Sequence, residues 1–301
     1  MEDGAQLPQK EQIGDVLKKY KEDSNNQQIG SPINLAPKTP EFNQSNFERT
    51  MSTETDPDLM IAYEIIKLPS KGLFYSNGIS EVNVEYMTSK DEDLLTTPSL
   101  IDSGTVLNLL LKRKIKTAGV NPENLLAGDR NAIILFLRSS SYGSEYTVQV
   151  NDPRTNTPFK ASVNLLKLKY REIKELPDER GYFSVELPMR KKTAIIRLLT
   201  SGEEDIIFKK AEALKDVYNQ EFSEYNTMKL KSHIISIGGN MDRTYVDKFV
   251  DAMPALDAYA IRRKIIDVAP DVDMAYEFKT KDGYTFEANL TIGLDFFFPS
   301  T

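Results

Sequence analysis

Few side chains in this sequence could do chemistry. His233 is the only histidine among 301 residues, so a single chain cannot form a histidine-based catalytic triad or a two-histidine metal site. Cysteine is absent, which excludes disulfides and thiolate-bound metals. His233 is followed by Ile234 and Ile235, and this apolar setting favours a packed histidine over a general base.

Two other patterns invite a catalytic interpretation. Gly238 and Gly239 form the only glycine doublet, but they lack the Lys–Ser/Thr pair of a phosphate loop, so we expect a turn before a helix capped by Asp242. The acidic run at 203–205 falls in the first turn of a predicted helix, where negative side chains complement the helix dipole. We therefore expect no active site, no cofactor and no bound metal.

Composition excludes several classes of partner. The net charge of −7 argues against general binding to nucleic acid or to an anionic membrane surface. No apolar run approaches the ~20 residues of a membrane-spanning helix, and the first residues do not resemble a secretory signal. We expect a soluble protein made in a cytoplasm.

Residues 1–57 differ from the rest of the chain. They are rich in Gln, Asn, Ser and Pro and carry more acidic than basic side chains, which predicts a disordered acidic tail. Within it, residues 10–23 place four apolar side chains on one face of a possible helix. The four are Ile13, Val16, Leu17 and Tyr20. This stripe is either a transient helix without a role or a short motif that folds into a groove on a partner.

Apolar spacing and turn residues divide the remaining chain into alternating segments. Residues 58–95 and 144–190 have the alternation and turn formers of β-hairpin regions, and 96–143 and 191–273 have helical spacing. Residues 274–301 should form a terminal hairpin. This order of strands and helices predicts an α+β fold with a helical central layer and several β-hairpins.

Local signals place two helix starts in the second segment. Thr97 before Pro98 is a typical N-cap and first-turn pair, and we expect that helix to continue through Leu111. Asp129 should open a later helix, which continues into an apolar run at 132–137 and lies at the centre of the helical layer.

Two apolar stretches are candidate contact surfaces. Leu73, Phe74 and Tyr75 follow a turn, and they are either a partner contact or hairpin core. The second stretch consists of Phe296, Phe297 and Phe298. We expect Leu290–Phe298 to be the closing strand of the last hairpin, docked on the body of the protein with one face left for a partner.

The order of several motifs resembles one known family. LPSKGLFY is followed by a strand-like run, then by GDRNAIILFLRSSSYGSEY and by a hairpin that ends in VNLLKLKYREI. LDAYAIRRKIIDVAPDVDMAYEF then leads into a hairpin that finishes with DFFFP. This arrangement, over residues 60–299, resembles the baseplate hub proteins of contractile-tailed bacteriophages of the T4 type.

The resemblance also implies a relationship between two hairpins. In similar proteins the turns of both can carry cysteine pairs that hold zinc, and these positions align here with Asp152, Thr155, Lys279 and Asp282. None is a cysteine, so the ribbon would lack its metal and would depend on packing and strand pairing. The implied fold packs the terminal hairpin, 274–301, on residues 144–175.

The resemblance implies a non-enzymatic phage tail protein that acts in hub assembly or structure. Its partners would be other baseplate hub proteins or the tape-measure protein, first in the host cytoplasm and then in the virion baseplate. One alternative is a transient assembly chaperone that is absent from the mature virion, which the acidic tail favours slightly. A metal-dependent enzyme is a more distant alternative.

Overall fold

The computed structural model describes residues 61–218, 223–290 and 294–297, and the predicted α+β class is confirmed. These residues form eight α-helices, with small antiparallel sheets between them. None of the described helices is both long and apolar enough to cross a membrane. The predicted tail, 1–57, and its apolar stripe lie outside the described residues.

The chain begins with a hairpin of β1 (Tyr63–Lys67) and β2 (Glu81–Glu85), in which Ile65 pairs with Asn83. The alternation of β2 is regular, and its two valines are both buried. The hairpin therefore presents one face to the core.

Three short helices follow, and their boundaries correct one prediction. They are α1 (Ser89–Leu95), α2 (Pro98–Asp102) and α3 (Val106–Lys114). The single helix expected from Pro98 through Leu111 is wrong, because the chain leaves helical geometry at Gly104, where φ is +64°. The break lets α3 turn its apolar face into the core independently of α2.

The central helix is α4 (Ala127–Tyr142), which follows a 3-10 turn at Pro122–Asn124. It begins two residues before Asp129, the predicted start. Ile133 and Leu137 in its middle are completely buried, as expected for the centre of the helical layer.

The hairpin of β3 (Glu145–Asn151) and β4 (Pro158–Asn164) follows α4 directly. A three-stranded sheet then forms from β5 (Tyr182–Glu186), β6 (Thr193–Arg197) and β7 (Ile234–Ile237), in that order. We predicted only helices in 191–273, and two of these strands lie there. Their sequences, TAIIR and IISI, contain consecutive apolar residues and so show no clear period of two.

Four helices pack on this sheet or extend from it. They are α5 (Ser201–Tyr218), α6 (Tyr225–His233), α7 (Arg243–Asp251) and α8 (Ala255–Val268). Asp242 caps α7 as predicted, because its side chain accepts a hydrogen bond of 2.7 Å from the backbone N–H of Tyr245. The glycine doublet forms the turn before this cap.

The last elements are β8 (Ala275–Lys279), β9 (Thr285–Asn289) and a 3-10 turn at Leu294–Phe297. The predicted strand over Leu290–Phe298 is therefore wrong at Leu294–Phe297, which is a turn in the described residues. A strand would direct Phe296 and Phe297 to opposite faces, whereas the turn allows both rings to be buried, with exposures of 1% and 0%. Phe298 lies outside the described residues.

Buried apolar side chains form two cores. The first core draws on β1–β4, α1, α3 and α4, and on C-terminal residues from Val272 to Phe297. The second core runs from Phe183 to Val268 and joins β5–β7 to α6–α8. Segments far apart in sequence meet in the first core, whereas the second is built from one continuous stretch.

Candidate protein interaction surfaces

The LPSKGLFY turn is held to α4 by a buried carboxylate. Asp129 Oδ1 accepts a 2.8 Å hydrogen bond from the backbone N–H of Ser70, and the Tyr75 hydroxyl donates to Asp129 Oδ2. The same hydroxyl accepts a bond of 2.9 Å from the N–H of Leu126. The turn also needs Gly72, where φ is +77° and a Cβ would lie 2.5 Å from the carbonyl oxygen of Gly78.

Burial dominates the electrostatics of this cluster. It raises the pKa of Asp129, although the hydrogen bonds from Ser70 and Tyr75 oppose the shift. The pKa of Tyr75 is also raised, first by burial and then by the negative charge of Asp129. The sequence suggested a helix start at Asp129, and no local pattern indicates that its side chain binds a turn 59 residues earlier.

The three candidates after this turn have different surroundings. Tyr75 is tied into the Asp129 network, and the ring of Phe74 packs 6.1 Å from the ring of Phe183. Leu73, in contrast, is 44% exposed. Of the three, Leu73 has the side chain most available to a partner.

The β3–β4 and β8–β9 hairpins meet at their turns through one arginine. Arg154 Nη2 lies 2.7 Å from Asp152 Oδ2 and 2.9 Å from Asp282 Oδ2, and its guanidinium covers the Tyr284 ring at 4.1 Å. The hydrogen bond from Arg154 lowers the pKa of Asp152. The pKa of Asp282 is lowered by Thr280 and then by Arg154.

Aromatic packing continues this contact along the hairpins. Phe159 of β4 meets Phe286 of β9 edge to face at 6.2 Å, and Phe286 lies 5.9 Å from Phe278 of β8. The other two positions where the resemblance places zinc ligands, Thr155 and Lys279, are exposed. Nowhere in the described ranges do three acidic or histidine side chains cluster as potential metal ligands.

Arg138 holds the C-terminal turn in the first core. Its Nε donates a 2.7 Å bond to the carbonyl of Phe296, and its Nη1 donates to the carbonyl of Gly143. The guanidinium also lies within 5.7 Å of the Tyr146 ring, and Tyr146 meets Phe296 edge to face. Burial lowers the pKa of Arg138. Phe296 and Phe297 thus fill the protein's own core, where a partner cannot contact their rings in this conformation.

His233 is buried in the second core. Its Nδ1 lies 2.7 Å from the carbonyl oxygen of Arg197, so we assign the proton to this nitrogen. Burial lowers the pKa of His233. The acidic run at 203–205 has structural partners as well, since Glu203 pairs with Arg197 at 2.7 Å and Glu204 pairs with Lys229 at 2.8 Å.

The β1–β2 hairpin carries two exposed apolar side chains on one face. Tyr63 is 58% exposed and Ile65 is 54% exposed, and both lie on the outer face of β1. β1 pairs only with β2 among the described strands. We did not single out these residues from the sequence, because alternation alone does not tell which strand of a hairpin remains uncovered.

Comparison with known proteins provides the family. The family model described as T4 bacteriophage base plate protein matches residues 60–298. The chain belongs to this family. Neither the search of curated proteins nor the search of solved structures gives a significant match. Family membership supports a structural role in the baseplate of the phage tail and contacts with other tail proteins.

Proposed function

We propose that this baseplate protein acts without catalysis in the assembly or structure of the baseplate hub. Its partners in this proposal are hub proteins or the tape-measure protein. The observation that carries the proposal is the family match, which spans nearly all of the described fold. The exposed side chains of Tyr63 and Ile65 support it, since neighbouring apolar side chains on an open face are typical of interaction sites. Leu73 is a further exposed apolar side chain.

A second candidate is a transient assembly chaperone that leaves before the virion is complete. The composition of residues 1–57 favours it, because a polar segment with an apolar stripe can fold on binding and be released again. In this version the stripe formed by Ile13, Val16, Leu17 and Tyr20 would contact the partner first.

Co-expression with the neighbouring tail genes tests the role, with size-exclusion chromatography of the proteins that co-purify. We expect a defined complex with a hub or tape-measure protein. The proposal would be contradicted if the chain elutes alone, whichever tail protein is co-expressed with it. Mass spectrometry of purified virions then separates the two candidates, since a hub component is present at a fixed stoichiometry and a chaperone is absent.

Leu73 provides a test within the chain. The side chain of Leu73 is exposed, while those of Phe74 and Tyr75 are packed. Leu73→Ala should therefore weaken co-purification with the tail-protein partner and leave the melting temperature unchanged. Met189→Ala, at another exposed apolar position, is the matched control. Equal recovery of the partner with both variants would remove Leu73 from the contact surface.

A further inference from the structure

The backbone of β1 leaves one edge of its hairpin unpaired. Tyr86 N–H bonds to the carbonyl of Ala62, and Leu68 N–H bonds to the carbonyl of Ser80. The N–H and C=O groups of an antiparallel pair alternate in direction along each strand. In β1, therefore, these groups point toward β2 at the even-numbered residues. The N–H and C=O groups of Tyr63 and Ile65 therefore point away from the hairpin, where no other described strand lies.

One contact shows both the direction and the end of this edge. The Tyr170 hydroxyl donates a 2.9 Å hydrogen bond to the carbonyl of Lys67, which is the next odd-numbered residue. That carbonyl points outward, as the alternation requires, and it is already occupied. The free part of the edge thus extends from Ile61 to Ile65, and Tyr170 closes it at one end.

An apolar groove of about 450 Å³ lies beside this edge. Its lining includes Ile66 of β1, Leu135 and Phe136 of α4, and Leu165 and Leu168 from the segment after β4. The two-stranded hairpin is too narrow to cover all of α4. A third strand beside β1 would place every second side chain over the part of α4 that is left open.

The rim of the groove is apolar and positively charged. Leu166 is 74% exposed there, the highest value among the large apolar side chains of the described residues. Lys67, Lys167 and Lys169 are exposed nearby, and none of them pairs with a carboxylate in the described part of the chain. An occupant with acidic side chains at its ends would complement these lysines.

We propose that the free edge of β1 and this groove bind one extended segment of another tail protein as an added β-strand. The segment would carry apolar side chains toward the groove, a further apolar or aromatic side chain opposite Tyr63 and Ile65, and acidic residues at its ends. Backbone pairing gives such a site its affinity, and the groove selects the side chains. This proposal rests on the proposed function, because it supplies the surface for contact with tail proteins.

A synthetic strand tests the geometry directly. The probe is an acetylated peptide, Glu-Val-Thr-Val-Tyr-Val-Thr-Glu, titrated into the full chain by calorimetry. The proposed strand runs antiparallel to β1. With the valines in the groove, the threonines and the tyrosine then lie on the face of Tyr63 and Ile65, and their N–H groups point at β1. N-methylation of those three residues removes the pairing donors. N-methylation of the three valines removes only donors that point away, so it is the matched control.

We expect the peptide methylated at the threonines and the tyrosine to bind about ten-fold more weakly than the control, or not at all. Equal affinities for the two methylated peptides would overturn backbone pairing. Failure of the unmethylated peptide to bind at millimolar concentration would overturn the site.

Two leucine variants locate the bound peptide. Leu166→Glu puts a negative charge on the groove rim. Leu176→Glu is the control, because it puts the same charge at a leucine that is 68% exposed and does not line the groove. Both side chains are exposed, so both variants should fold. We expect about ten-fold weaker binding for Leu166→Glu alone, and equal binding by both variants would place the peptide elsewhere.

A second copy of this chain is the competing occupant of this edge. Light scattering of the wild type should show a monomer, and a dimer that Leu166→Glu disrupts while Leu176→Glu does not would overturn the proposal in favour of a second copy. Failure of the strand site can be distinguished from failure of the proposed hub role. If no peptide binds but tail proteins still co-purify with the chain, only the strand site fails, whereas a chain that co-purifies with nothing contradicts the proposed function.

Discussion

The two cores of this protein are assembled in different ways. The first core brings Ile66 and Phe297 together, from opposite ends of the described chain, and it encloses polar residues such as Asp129 and Arg138. The second core lies within residues 183–268 and has His233 as its buried titratable base. A core closed by segments far apart in sequence must close longer loops before its contacts form, whereas a core within one continuous stretch closes over shorter separations.

The strongest test of this difference removes one ring from the first core. Phe297→Ala should cost about 3–5 kcal/mol, because the ring is completely buried and its neighbours cannot fully fill the cavity. Hydrogen exchange should show lost protection in α4 and retained protection in β6. Phe208→Ala, at an exposed ring, is the control. Uniform loss of protection in both cores would show that they unfold as one unit.

The next test removes the carboxylate that joins the first turn to α4. Asp129→Ala should cost about 2–4 kcal/mol, since it leaves the Ser70 N–H and the Tyr75 hydroxyl without their acceptor. Chemical denaturation measures the loss, and Asp102→Ala, at an exposed position, should change little. Similar midpoints for both variants would contradict a stabilising role for this network.

The cores should also respond oppositely to pH. The pKa of His233 is lowered in the folded protein, so the stability from its neutral form is complete above its ordinary value of 6.5 and is lost as the pH falls. The pKa of Asp129 is raised, so its contribution is complete below the ordinary carboxyl pKa and is lost as the pH rises through the raised value.

Hydrogen exchange between about pH 7 and pH 4, which reaches the ordinary carboxyl pKa, can separate these effects after correction for the intrinsic rate of each amide. We expect β7 to lose protection on acidification while the turn at Ser70 gains it. His233→Gln should remove the response of β7, and Asp129→Asn should remove that of the turn. A response of the same sign in both regions would show that other groups control the pH dependence.

The smallest expected effect is at the meeting point of the two hairpins. Arg154→Ala should speed exchange at the hydrogen-bonded amides of Asn156 and Gly283 without moving the midpoint of global unfolding, because the arginine is partly exposed and its pairs are screened. Arg180→Ala, at an exposed arginine in another turn, is the control. Unchanged exchange at both amides would show that aromatic packing alone holds the hairpins.

The sequence predicted the parts of the fold that local patterns determine. The α+β class, the buried centre of α4 and the cap at Asp242 all follow from spacing and capping rules. The strands β6 and β7 were missed because their apolar residues are consecutive and do not alternate with polar ones. The turn at Leu294–Phe297 was missed because alternation cannot show that a buried arginine 158 positions earlier binds the Phe296 carbonyl.

The candidate surfaces show the same limit. Leu73 follows a visible turn, and the sequence could suggest it as a contact. The free edge of β1 could not be predicted, because it exists only where the described residues place no third strand beside Ile65. What a chain leaves uncovered is a property of its tertiary structure, and local sequence patterns contain little information about it.

The bond between Arg138 and the Phe296 carbonyl has a consequence for biosynthesis. During synthesis, α4 leaves the ribosome long before residues 296 and 297 do. The Arg138 guanidinium therefore lacks its Phe296 acceptor, and the pocket for both phenylalanine rings stays unfilled, until the C-terminal residues are made. The second core, which ends at Val268, can close earlier in translation. The β1 edge borders α4, so a tail protein that binds there during synthesis would bind while the first core is still incompletely folded.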